Sequence, residues 1–209
     1  MIDKTCEKIF VPEKPNLILV EGISDEYFFS CFCKNLNRED IDLLNVEGKP
    51  NFPNAIKTVG SITSFSEKVR FLGIIRDADD SPEDSFKSVR NALTAANFPA
   101  PSKPLEIAEG DPNVCVLLLP GGGKPGELED LILDSWRDNP VFECVNEYFD
   151  CIKNKADEMP RKPSKAKVQV FLGSCKETDS RLGIAAEKKY INLDHSAFDI
   201  IRDYFSKIS

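Results

Sequence analysis

The chain has 209 residues, 41% of them hydrophobic and 30% charged, which is enough apolar material for one packed domain with at most an appended piece. Its 35 acidic against 27 basic residues leave a net charge of −8 at pH 7, which excludes a protein that coats nucleic acid through net charge but leaves room for a local basic groove. No window approaches the about 18 apolar residues a membrane helix needs, and MIDKTCEKIFVPEK at the N-terminus lacks a signal-peptide core. The expectation is therefore a cytoplasmic protein with no membrane partner.

In chain order, residues 1–15 read as a polar lead-in with an edge strand near Ile9–Val11. Asn16–Val20 (NLILV) is a compact apolar run ending in Glu21-Gly22, the pattern of a buried strand. Ser24 is the expected cap of a helix whose first turn carries Asp25 and Glu26, where the helix dipole favours acids. Tyr27, Phe28, Phe29, Phe32 and Leu36 then recur at core-facing spacing. Ile41–Val46 reads as a second strand, and 51–68 as a helix that Gly60-Ser61 breaks in two. Phe71–Ile75 is the third strand, running through Arg76 into Asp77, Asp79 and Asp80. Ser81-Pro82-Glu83-Asp84 is a strong helix start, turning Phe86, Val89, Leu93 and Ala96 inward. A loop at 97–112 leads to the fourth strand, Val114–Leu119, then the glycine loop Pro120–Gly126 and a helix over 127–135. Beyond 139 only helices are expected: 140–157, 163–172 and 196–208, with a shorter piece near 183–189 and a basic connector at Met159–Lys165.

Strands alternating with helices predict an α/β fold, a mostly parallel Rossmann-like sheet with helices on both faces. Residues 1–136 form the expected core, and 137–209 a helical C-terminal extension packed on it.

The chemistry concentrates at strand ends. Asp77 and Asp79 are two apart, so on a continuing strand both carboxylates point the same way. Like charges held together repel, and a divalent cation relieves this. Glu21 ends the first strand and could face them across one crevice, with Asp25 one helical turn behind it. The sequence holds one histidine, His195, and its seven cysteines, read as reduced and mostly buried, include no CxxC pair. A metal here would be held by oxygen, which suits Mg²⁺, Mn²⁺ or Ca²⁺. Gly122, Gly123 and Lys124 could offer backbone N–H groups and a cation to a substrate phosphate, although the spacing is not that of a P-loop. Each feature also has a plainer reading. Glu21 can simply end a strand, Asp25 and the acids of 127–130 can complement helix dipoles, and the glycine loop can be a flexible connection. Arg161, Lys162, Lys165 and Lys167 can form a solvated face, unless they flank the acidic crevice and so make a nucleic-acid track.

Leu19-Val-Glu-Gly-Ile-Ser-Asp25, followed by a later strand ending in Asp77-Ala-Asp79, resembles a Toprim domain. That fold occurs in topoisomerases, bacterial primases, small Toprim nucleases and OLD-family nucleases. Pro120-Gly-Gly-Gly together with Gly126-Glu-Leu-Glu-Asp-Leu131 resembles a set of short Toprim-like proteins related to the OLD nucleases, over residues 14–135 with a helical tail. The resemblance implies that Glu21 is a general acid/base or metal ligand and that Asp77 and Asp79 hold Mg²⁺ (or Mn²⁺). It implies that Asp25 is an additional acid, and that Glu129, less directly Glu127, is the acid after the fourth strand. The chain departs from the pattern at Asp80-Ser-Pro, where a glycine is common; this implies a different loop shape. With neither a topoisomerase tyrosine domain nor an ATPase domain expected, the implied function is a Mg²⁺-dependent phosphotransfer enzyme, a nuclease hydrolysing phosphodiester bonds in DNA or RNA. The alternative is a non-catalytic Toprim module that binds nucleic acid or a partner protein within an ATPase-associated system. A receiver-like domain fits less well, because Lys124 sits in a Pro/Gly loop, and small-molecule phosphate chemistry at the same site stays open.

Overall fold

The computed structural model describes residues 10–156 and 158–208. Its strands are β1 Asn16–Val20, β2 Ile41–Asn45, β3 Phe71–Asp77, β4 Ile107–Ala108 and β5 Asn113–Leu119. Its α-helices are α1 Ile23–Asn35, α2 Phe52–Gly60, α3 Thr63–Lys68, α4 Pro82–Ala95, α5 Leu128–Ser135, α6 Pro140–Lys155, α7 Pro163–Gly173, α8 Leu182–Glu187 and α9 Asp199–Ser206. The five strands make one sheet in the order β2-β1-β3-β5-β4. All pairings are parallel except that of the two-residue β4, which closes one edge antiparallel to β5. The expected α/β class, with helices on both faces, is what forms.

The three central strands are buried on both faces, which explains their nearly continuous apolar sequence. Alternate residues feed two separate cores. Ile18, Val20, Phe71, Ile75, Cys115, Leu117 and Leu119 face α1 and the C-terminal helices. Leu17, Leu19, Leu72, Ile74, Val114, Val116 and Leu118 face α2, α3 and α4. The tail shares the first core: Phe28, Phe29 and Phe32 of α1 pack with Phe198 and Phe205. Trp136 stacks on Phe171 with ring centroids 4.0 Å apart, and its indole N–H donates to the Tyr190 carbonyl at 2.8 Å. Such a stack contributes about 0.5–1.5 kcal/mol beyond its buried area. At Gly73 a Cβ would stand 2.1 Å from the Tyr204 hydroxyl, so a missing side chain on the central strand makes room for α9.

Several local expectations differ from what forms. Gly22, not Ser24, is the N-cap of α1, because Ile23 is already helical. Tyr27 is half exposed; its place on α1 faces outward while Phe28, Phe29 and Phe32 take the core. Strand β3 runs two residues further than expected, to Asp77. The 97–112 loop contains β4, and the last helix begins with a 3₁₀ turn at Ser196–Phe198. Cys33 and Cys115 are buried, but Cys144 and Cys151 on α6 are exposed, so the described thiols are not mostly buried. Phe10 and Val11 are not in a strand, and Ile9 lies outside the described residues. No helix among the described residues is long and apolar enough to cross a membrane.

Candidate metal centre

The chain leaves β1 for β2 on one side and reaches β3 on the other, so the sheet's switch point lies between β1 and β3. Glu21 and Asp77 stand at its C-terminal mouth. Helices α1 and α5 both start there, and each places an aspartate on its own N-cap amide. The Gly22 N–H donates to Asp25 Oδ2 at 2.9 Å, and the Glu127 N–H to Asp130 Oδ2 at 2.8 Å. The Leu128 N–H at the start of α5 donates to Asp77 Oδ1 at 3.0 Å, which fixes the end of β3 against that helix.

The pleat then sorts the acids. Asp77 continues the Phe71–Gly73–Ile75 face and meets Glu127 and Glu129, one oxygen of each lying within 4.8 Å of the others. All three are buried. Glu21 lies one residue past the end of β1, its carbonyl accepting from the Gly48 N–H at 2.7 Å, and its Oε2 is buried without a hydrogen-bond partner. Asp79 adopts φ 53°, a left-handed conformation outside the strand, so the same-face geometry expected for Asp77 and Asp79 does not persist. Its carboxylate is instead held by Lys49 on Oδ2 at 3.0 Å and by Lys162 on Oδ1 at 3.3 Å.

Cations reach the acids from the C-terminal extension. Lys162 also pairs with Glu127 at 3.0 Å, and Lys165 with Glu129 at 3.3 Å. Burial raises the Asp77 carboxyl well above its usual range, helped by the charges of Asp25, Glu21 and Glu129. Burial also lifts Glu21, with Asp79 the next cause, and Glu129. Asp25 is pushed up to about 6 by burial and by the neighbouring Glu129. Asp79 is the exception: burial works upward, but its two lysines outweigh it and hold the group low.

The donor set fits a hard divalent cation, with oxygen ligands only, buried and mutually repelling, beside an orphaned carboxylate oxygen on Glu21. His195 plays no part, since its Nδ1 accepts from the Ala197 N–H at 3.1 Å.

Of the residues singled out in the sequence, Asp77 and Glu129 come together in the triad. Glu21, Asp25 and Asp79 surround it in adjoining positions. Gly122, Gly123 and Lys124 do not meet the acids; they line a small apolar hollow of about 50 Å³ with Leu117, Leu118 and Ile200. Glu127 completes the triad, although the resemblance points to it less directly than to Glu129. As the residue before a helix its side chain turns back toward the strand ends. Lys49 carried no motif at all. Its one readable sign is position, after the C-terminal end of a strand.

A family model for proteins of unknown function, DUF3226, matches residues 15–209. The chain belongs to that family. Among curated proteins, none matches it. Two solved structures share this fold at low identity. A hypothetical protein from Pyrococcus horikoshii OT3 aligns with TM-score 0.59 and 18% identity, over 93% of this chain and 95% of that one. The C-terminal region of the Burkholderia pseudomallei OLD protein aligns with TM-score 0.51 and 12% identity, over 94% and 99% respectively. The corresponding region of the Xanthomonas campestris pv. campestris OLD protein gives TM-score 0.40 at 15% identity, over 95% and 88%. This DUF3226 member has the fold of the Burkholderia OLD C-terminal region, in line with the OLD-related resemblance read from Pro120-Gly-Gly-Gly and Gly126–Leu131.

Proposed function

We propose that this protein is a Toprim-type, Mg²⁺- or Mn²⁺-dependent enzyme of phosphodiester chemistry, a nuclease acting on DNA or RNA. The observation that carries this reading is the buried triad Asp77, Glu127 and Glu129 at the C-terminal ends of β3 and β5, flanked by Lys162 and Lys165. The OLD-like fold supports it.

Asp77, Glu127 and Glu129 would hold the metal, with Glu21, Asp25 and Asp79 in reach as the surrounding acids. A bound divalent ion supplies charge neutralisation for a phosphate and lowers the pKa of water. The chain's own residues supply the rest. Glu21, its pKa raised and one oxygen free, is suited to take a proton from an attacking water. Lys162 and Lys165 neutralise the acids and stand where they would meet a substrate phosphate. Helix α7, which carries Lys165, is anchored by the Ser164 hydroxyl donating to Asp130 at 2.5 Å, so the C-terminal extension takes part in the site.

The test is cleavage of labelled single- and double-stranded DNA and RNA with Mn²⁺, comparing the parent with Glu21→Gln, Asp77→Asn and Glu129→Gln. Loss of cleavage in folded variants is expected. Undiminished metal-dependent cleavage in all three overturns this assignment. The second reading, a binding module without turnover, is favoured by the lysines that already neutralise the acids. It predicts oligonucleotide or partner binding and no cleavage by the purified chain.

A further inference from the structure

The triad accounts for the acids on the α1 side of the sheet but not for the group on the α2 side. Arg76 is 8% exposed, yet among the described residues it makes no ion pair or hydrogen bond, and its Nε is buried without a partner. A buried cation left unpaired is costly, so its retention calls for a physical reason. The obvious counter-ion is Glu21. Glu21 follows the end of β1, and Arg76 lies in β3, the strand paired with it up to Leu19↔Ile74. They influence one another, since Arg76 lowers the Glu21 pKa against the larger effects of burial and Asp79. They do not form an ion pair, and each keeps an unsatisfied polar atom. Glu21 has a candidate use at the acid cluster. Arg76 has none there.

The surroundings of Arg76 suit an anion. Its guanidinium lies 5.9 Å above the Phe52 ring, which supports it without using any of its donors. Phe52 opens α2, and Lys49 begins the 3₁₀ turn Lys49–Asn51 that leads into it, its exposed ammonium bonded to Asp79. A planar fork of donors together with an exposed ammonium is a pairing that recognises a phosphate group. We infer that Arg76 and Lys49 form a second, cationic subsite on the α2 side of the metal centre, which takes a backbone phosphate of the nucleic-acid strand next to the one being cleaved. In the free protein the Asp79 carboxylate stands in for that phosphate on Lys49. The subsite rests on the nuclease reading for its ligand, but its geometry is independent of the triad.

The experiment measures binding rather than cleavage. Anisotropy of a labelled phosphorothioate oligonucleotide is followed over a range of salt for the parent, Arg76→Met, Arg76→Lys and Lys49→Met. Mn²⁺ binding by each variant confirms an intact acid cluster. Arg76→Met is expected to weaken binding about tenfold and to reduce the salt slope by about one charge. Arg76→Lys keeps the slope but loses affinity, because an ammonium cannot fork. Lys49→Met, at an exposed position, lowers the slope and decides the matter alone if Arg76→Met fails to fold. Parental affinity and slope in the folded variants overturn the subsite, while cleavage by those variants leaves the nuclease reading standing. Inorganic phosphate bound in an Arg76-dependent way, without oligonucleotide binding, supports the subsite and overturns the nucleic-acid reading. Binding of neither probe by the parent overturns the subsite.

Discussion

Asp79 and Gly126 exchange main-chain hydrogen bonds in both directions, the Asp79 N–H to the Gly126 carbonyl at 2.9 Å and the Gly126 N–H to the Asp79 carbonyl at 2.8 Å. The pair clamps the loop leaving β3 to the loop leaving β5, and so sets Asp77 against the start of α5 that carries Glu127 and Glu129. Gly126 has φ +137°, and a Cβ there would lie 2.4 Å from Asp130 Oδ2. Gly126→Ala should therefore destabilise the fold by about 1–3 kcal/mol and weaken Mn²⁺ binding as the triad loosens. Urea unfolding together with a Mn²⁺ titration checks both, and an unchanged Mn²⁺ affinity would show that the clamp does not position the acids.

Removing a triad acid should separate folding from metal binding. Asp77→Asn keeps an oxygen for the Leu128 N–H but discharges a group held above its usual pKa by burial and by Asp25, Glu21 and Glu129. Without metal at neutral pH the variant should be more stable than the parent, because the burial cost of the charge is gone. The rise in melting temperature that Mn²⁺ gives the parent should vanish. A variant that still responds fully to Mn²⁺ would place the metal elsewhere.

The same cluster predicts an unusual pH profile. Asp25 has an ordinary value of 3.8 and is raised to about 6 in the fold. The folded state therefore keeps a proton that the unfolded state releases, and this group's contribution to stability is fully present below a pH of about 4. It falls as pH rises through about 4 to about 6, by on the order of 3 kcal/mol from this group. Mn²⁺ competes with that proton, so its affinity should rise over the same window. Denaturant midpoints of metal-free protein measured across this range check the sign. In Asp25→Asn the slope should flatten.

Gly73 and Tyr204 test how the extension is seated. A Cβ at position 73 would stand 2.1 Å from the Tyr204 hydroxyl and 3.0 Å from Ile18 Cγ1. Gly73→Ala should cost about 1–3 kcal/mol through overpacking, and adding Tyr204→Phe should recover most of that loss. A double-mutant cycle in denaturant gives the coupling, and additive effects would mean that the sheet, not α9, absorbs the added methyl.

How much was legible follows from how local each signal is. The strands, the break at Gly60-Ser61 and the start of α4 at Ser81-Pro82 are written in neighbouring residues, because burial on both faces demands continuous apolar runs and proline and serine suit a helix start. The acids at the ends of β1 and β3 were legible for the same reason. Their grouping was not. Glu21 lies just past the end of β1 while Asp77 is still in β3, and the left-handed turn at Asp79 removes that side chain from the strand's alternation. Glu127 joins Asp77 only because β5 lies beside β3, and Lys49, Lys162 and Lys165 reach the acids across elements distant in the chain. The sequence by itself determined which groups could bind a metal and at which end of the sheet they emerge. Only the tertiary structure decided which carboxylates share one space, and which cations neutralise them, because charges interact through distance in the fold and not along the chain.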